Sequence, residues 1–322
     1  MARAADEPKW LRVSSSHFAI LTNAGEKKGS EVALRLEQMR AICGQLLLKN
    51  KLSMPKPLDV IAFRSYEEYV KVARQGVSAQ GSLLQGEDRN YILLNLADDE
   101  SWLAVAHDFA HLFLNYNYPP TQLWFDEGFA QYFSSVRIGE RQAQIGGDPN
   151  ALTGLLTAPP WLPMAALFAA QSDGTHQTGQ RDMFHAESWI VMHYLLNQNK
   201  LPEAGTYFDL VQNQKVPVEQ AISQAFGVGA AQLEKAVRDY FQTLSAADKS
   251  AGQGRTALPS GAHEFAPPVG PTEVGSSTVQ VSPLEARTLV AEAMLHSKEY
   301  RQQAMDELTA LTSDSLTDNG IA

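Results

Sequence analysis

The hydrophobic period of this chain changes near residue 100, and that change limits the folds open to it. Before it, apolar residues come in short runs. Positions 10–22 alternate loosely through Leu11, Val13, Phe18 and Ile20, which predicts two short strands or a hairpin across Ser14, Ser15 and Ser16. Leu58–Phe63 is apolar and β-branched, a strand opened by Pro55 and Pro57. Gly81–Gln85 and the run 91–96 flank a polar Gly86-to-Asn90 segment, a hairpin signal. One helix interrupts them, over 31–49, where Val32, Leu36, Met39, Cys43 and Leu47 fall at helical intervals. Ser65 and Glu68 form a capping-box pattern that opens a short helix to about residue 74. After residue 100 helical periods dominate, at 101–115, 127–136, 186–197, 203–212, 218–225 and 231–244, around a loop-rich stretch at 146–180. Strands first and helices second argue an α+β fold: a small N-terminal mixed sheet with helices, then a mainly helical lobe.

The chain has 322 residues, room for a catalytic unit of about 250 residues and an appendage, or for two medium domains. Its 36 acidic and 26 basic side chains leave a net charge of −10, which argues against a surface that coats nucleic acid. No apolar run approaches the roughly 18 residues of a membrane span. The single cysteine, Cys43, excludes an internal disulfide and a CxxC metal site, so any metal must use histidine and carboxylate ligands. Ala2-Arg3-Ala4 followed by a polar stretch resembles the small-residue end of a secretory signal, from which we expect an exported (periplasmic, cell-envelope or secreted) protein. The plainer alternative is an ordinary N-terminus of a cytoplasmic protein.

Composition shifts again at Lys249. Gly, Pro, Ser and Thr supply 18 of the 35 residues from Lys249 to Pro283, the composition of a linker. We therefore expect a body over 1–248 (sheet-rich 10–97, metal helices 101–137, helical lobe 182–245), a flexible linker over 249–283 and a helical tail over 284–322. Periods at 284–295 and 299–311 make the tail look like one unit of a helical repeat. One such unit cannot bury its own face, so the tail docks on the body, meets a protein partner, or has lost further repeats.

The segment that carries chemistry is Ser101-to-Asn115, with His107, Asp108 and His111. On a helix, residues four apart share a face, so His107 and His111 aim two imidazoles at one point, as tetrahedral zinc requires of two of its ligands. With 8 histidines in the chain, such a pair is by itself a weak signal. A second helix carrying Asp126 and Glu127 adds a third donor. Helix capping competes for these acids, and Asp126 is expected to do the capping and leave Glu127 free.

The pattern HDFAH followed by WFDEGFAQYF resembles the zinc core of the gluzincin metallopeptidases, the peptidase MA-like group, whose usual form is HExxH followed by an NEG-type segment. The likeness extends over most of residues 10–245. It implies a zincin-type active-site helix and zinc held by His107, His111 and Glu127, with an open position for water. The implied activity is hydrolysis of peptide or protein substrates, in which Asp108 takes the water proton and His185 donates to the oxyanion. The sequence departs from the family at Asp108, where the usual base is Glu. Aspartate is one methylene shorter, and a retreat of about 1 Å can cost roughly a hundredfold in rate. The alternative is a zinc-binding pseudopeptidase, weak or inactive, that captures peptides or proteins. Asp126 stands for the usual Asn, and Gln131 for an acid.

Around this core, Glu187 is a candidate for orienting a ligand histidine, and His193 reads as core. His17, His176, His263 and His296 have no partner at metal spacing. No GxSxG elbow, phosphate-cradling GxxxxGK[ST] loop or dinucleotide fingerprint is present.

Overall fold

The two most continuous apolar runs of the first hundred residues become adjacent parallel strands inside a six-stranded sheet. Covered on both faces, such strands have no polar side to alternate with. The structure, a computed structural model, describes residues 9–47, 51–73, 81–98, 101–148, 152–157, 160–173, 178–250 and 262–313. The first elements are β1 (Trp10–Ser14), β2 (Ala19–Thr22), α1 (Glu26–Leu46), β3 (Leu58–Phe63), α2 (Tyr66–Tyr69), β4 (Gly81–Gln85), β5 (Asn90–Asn95) and α3 (Ser101–Asn117). Then come α4 (Leu123–Ser134), β6 (Arg137–Ile138), β7 (Ala143–Ile145), α5 (Leu152–Leu156), α6 (Met164–Ala169), α7 (Thr178–Asn197) and α8 (Leu201–Phe208). A π-helical turn (Asp209–Asn213) leads to α9 (Val218–Phe226), α10 (Ala230–Ser250), β8 (His263–Phe265), α11 (Pro271–Val274), β9 (Ser277–Val281), α12 (Pro283–Leu295) and α13 (Arg301–Ser313). The fold is α+β. Among the described residues no helix is long and apolar enough to cross a membrane.

The chain forms two compact units, residues 1–108 with 267–322, and residues 109–266; the division falls inside α3, a continuous helix. In the first unit the sheet order is β4-β5-β3-β2-β1-β9. The pairs β2–β3 and β3–β5 are parallel, and the other neighbours are antiparallel. Val13 and Thr22 face α1, where Gly29 lets helix and sheet approach closely: an added Cβ would stand 2.6 Å from Val13 Cγ2. On the opposite face Leu21, Ile61, Phe63, Tyr91, Leu93 and Val281 share a core with Ala286, Ala293, Met294 and Ala304 of the C-terminal helices.

That core answers how the helical tail buries its face: α12 and α13 pack on each other and on the sheet of the first unit. It also corrects the expected flexible linker over 249–283. Residues 251–261 lie outside the described residues, but β8 pairs with β7, and β9 is the sheet's sixth strand against β1. Gly, Pro, Ser and Thr hid these strands because ladder bonds to a distant partner hold them, rather than local propensity. β9 is an edge strand covered only at its end: Val281 is buried, and Val279, on the same face two residues earlier, is exposed.

Other boundaries differ for local reasons. α1 starts at Glu26, ahead of the 31–49 period, which misses the first turn because Glu26-Lys27-Lys28-Gly29 carries no apolar stripe. α2 stops at Tyr69, and only half of the capping box forms. Ser65 accepts from the Glu68 backbone, while the Glu68 side chain turns to Asn23 and Arg64. In the second unit, α5 and α6 lie within the stretch read as loop, and β6 and β7, of two and three residues, are too short to show a period.

The second unit is built on α4 against α7. At their crossing a Cβ on Gly128 would stand 2.4 Å from the Ser188 carbonyl oxygen, so only glycine permits this approach. Aromatic rings fix α4 elsewhere: Trp124 stacks on Phe168 at 4.0 Å, and Phe129 and Phe133 are buried.

Candidate metal centre

α3 begins where the Ser101 hydroxyl donates to the carbonyls of Asn95 and Asp98, which ties its first turn to the end of β5. Its apolar stripe (Val105, Ala106, Phe109, Ala110, Leu112, Phe113) is buried. His107 and His111, one turn apart, keep partial exposure. α4 is anchored at Gln122, whose side-chain oxygen accepts from Trp124 Nε1 at 3.0 Å and from the Tyr207 hydroxyl at 2.8 Å. Gln122 is the N-cap, and its side chain makes no capping bond. Asp126 therefore does not do the capping expected of it. Its carboxylate accepts from the Thr121 hydroxyl, and burial pushes its pKa up. Glu127 is left to point elsewhere, as the sequence suggested.

One ligand atom from each of His107, His111 and Glu127 lies within 4.8 Å of the other two. Glu127 Oε1 is 3.6 Å from His111 Nε2. Two imidazole nitrogens and a carboxylate oxygen at this mutual distance form a group that can hold a metal ion. Cysteine takes no part: Cys43 is buried within α1, where desolvation pushes its thiol pKa up.

The other candidates fall around this group. His185 Nε2 stands 3.6 Å from Glu127 Oε2 and 3.7 Å from Asp173 Oδ2, and its Nδ1 is 3.4 Å from the Gln131 side-chain nitrogen. The close crossing at Gly128 makes this contact possible by bringing α7 against the turn that carries Glu127. Asp108 turns to the sheet: its Oδ2 accepts from the Leu83 backbone N–H of β4 at 3.1 Å, and its Oδ1 is 3.5 Å from His107 Nδ1.

Glu187 has a different partner from the ligand histidine suggested for it. Its Oε1 accepts from the Leu162 N–H at 2.8 Å, and burial raises its pKa to about 7. His193 is core. Its Nδ1 meets the Tyr240 hydroxyl at 2.7 Å and its Nε2 the Gly146 carbonyl at 2.9 Å, and desolvation lowers its pKa to about 4. His17 pairs with Glu37, His296 stacks on Tyr91, and His263 lies on β8; His176 is outside the described residues. Sequence reasoning missed Asp173 and its ion pair to Arg181. Nothing in the loop around Asp173 marks it, because its role comes from where α7 brings His185.

No known protein family matches the chain, and no curated protein matches it.

Proposed function

We propose that His107, His111 and Glu127 bind zinc and that the chain is a zinc-dependent peptide-bond hydrolase of gluzincin type. The convergence of the three ligand atoms within 4.8 Å carries this reading. The donor set suits zinc, which takes histidine nitrogen and carboxylate oxygen with no need of cysteine. Zinc held there would supply a Lewis acid that polarises a carbonyl and makes water acidic near neutral pH. The chain's own residues do the rest. Glu127 supplies a negative charge to the ligand set, and buried Phe109, Phe113 and Phe133 keep bulk water from the helices that carry it. His185, beside Glu127, is placed to donate toward negative charge developing on a substrate oxygen. Asp108 is the carboxylate assigned to move the proton.

One observation favours the second reading, a zinc-binding protein of weak or no peptidase activity that captures peptides. The Asp108 carboxylate is engaged by the sheet, its Oδ2 accepting from the Leu83 N–H, a role that holds a carboxylate in place and calls for no proton transfer. The test is metal content of the purified protein before and after chelation, beside cleavage of unfolded casein. About one zinc per chain with chelator-sensitive cleavage supports the hydrolase. Zinc without cleavage, followed by a large gain in Asp108→Glu at unchanged zinc content, supports the second reading. Absence of any stoichiometric divalent metal overturns both.

A further inference from the structure

β4 is an edge strand, and the register decides which of its backbone groups face outward. In an antiparallel pair, residues opposite one another alternate between exchanging hydrogen bonds and exchanging none. The Gly86 N–H bonds the Arg89 carbonyl at 3.0 Å and closes the hairpin. Counting back from that bonded pair, Leu84 with Tyr91 and Ser82 with Leu93 are bonded pairs, while Leu83 opposite Ile92 is not. The Leu83 N–H therefore points away from β5, off the open side of the sheet. An exposed edge donor of this kind invites another strand, and folded proteins cover such edges. Here the cover is Asp108, whose Oδ2 takes this N–H at 3.1 Å while Oδ1 stands 3.5 Å from His107 Nδ1.

We propose that Asp108, apart from any proton it moves, is a positioning residue: its carboxylate locks the edge strand β4 to the helix that carries the metal ligands and braces the His107 ring. The proposal deepens the metal-centre reading and rests on it for the His107 brace; the lock on Leu83 stands without any metal. It accounts for aspartate in a place where glutamate would serve a base better. The extra methylene of Glu would carry the carboxylate about 1–1.5 Å past the Leu83 amide. Bonds to a charged acceptor are the stronger kind, and partners that hold a ligand histidine commonly change metal affinity tenfold or more.

The experiment uses the full chain with Asp108→Asn and Asp108→Ala. Asparagine keeps an acceptor oxygen at the same reach, and alanine removes it. Site-resolved hydrogen exchange at the Leu83 amide, in chelator and in zinc, reads the lock. Zinc affinity by competition with a chromophoric chelator reads the brace. We expect Asp108→Ala to speed exchange at Leu83 about tenfold and to weaken zinc about tenfold, with Asp108→Asn closer to the parent in both. A residue that served only to move a proton would change neither. Leu83 exchange in Asp108→Ala as slow as in the parent overturns the lock. A changed exchange rate with zinc affinity unchanged overturns the brace. If no variant binds zinc, the metal-centre reading fails, and exchange at Leu83 still decides the lock.

Discussion

His111 and His193 both sit on long helices rich in aromatic residues, each with a carboxylate within a few residues or across a helix contact. Their surroundings have opposite chemistry. The His193 ring is wholly buried, and its two nitrogens are used by Tyr240, Asn197 and the Gly146 carbonyl. That environment stabilises the neutral ring and needs nothing from outside the protein. His111 keeps partial exposure and turns a nitrogen toward Glu127, with His107 one turn away. The acids differ in the same way. Glu187 closes a loop by accepting from Leu162, whereas Glu127 joins a set of ligand atoms facing one another. A histidine near an acid is common; what marks a candidate metal centre is that one ligand atom from each of three donors converges on the others.

The largest expected effect breaks the comparison at the metal side. His111→Ala or Glu127→Gln should lower zinc affinity by at least about a hundredfold, taking zinc per chain from about one to nearly none after dialysis against a weak chelator. His193→Gln should leave zinc content unchanged. If His193→Gln lost the metal and His111→Ala kept it, the two regions would have to exchange roles.

Next in size is Gly128→Ala. The added Cβ would meet the Ser188 backbone oxygen, which cannot move aside as a side-chain end would. We expect a loss of about 3 kcal/mol in urea unfolding, the upper end of what overpacking costs. Zinc affinity should fall with it, since the same crossing sets Glu127 against His185. Gly205, where an added Cβ meets nothing within 4 Å, is the control, and Gly205→Ala should be neutral or slightly stabilising.

Much of this was legible in the sequence, and the parts that were not share a cause. The spacing of His107 and His111 is enforced by helix geometry, so a local pattern was enough to place both on one face. Glu127 was reachable because one of two adjacent acids opening the next helix can fold back toward the histidines while its neighbour, here Asp126 with Thr121, is used locally. Leu58–Phe63 matched as a strand because burial on the sheet is written residue by residue in its side chains, and Gly81–Gln85 matched through the hairpin signal that follows it. What stayed hidden depends on partners far away in the chain. β9 is a strand because β1 offers it a ladder, and Asp173 matters because α7 brings His185 to it. Asp108 could be read as a departure from a family pattern, but its bond to Leu83 could not, because that bond depends on which amides of β4 face outward.

The smallest expected effect separates the two buried groups of α7 from each other, and its sign is the test. Glu187 has a folded pKa raised from 4.5 to about 7, mainly by burial, so the folded protein holds its proton more tightly than the unfolded chain. Its contribution is complete below about 4.5 and is lost as pH rises toward 7. His193 runs the other way. Its folded pKa is lowered from 6.5 to about 4, so its contribution is complete above 6.5 and is lost as pH falls toward 4. In the parent protein the two slopes oppose each other across pH 4.5–6.5 and partly cancel. Glu187→Gln should unmask the histidine, and unfolding free energy should then climb by about 2 kcal/mol from pH 4 to 6.5. His193→Gln should unmask the glutamate and give a decline of about 1–2 kcal/mol from pH 4.5 to 7. Urea titrations of the zinc-chelated protein at half-unit pH steps would separate the curves. Parallel curves for the two variants would mean that neither group titrates differently in the folded and unfolded chain.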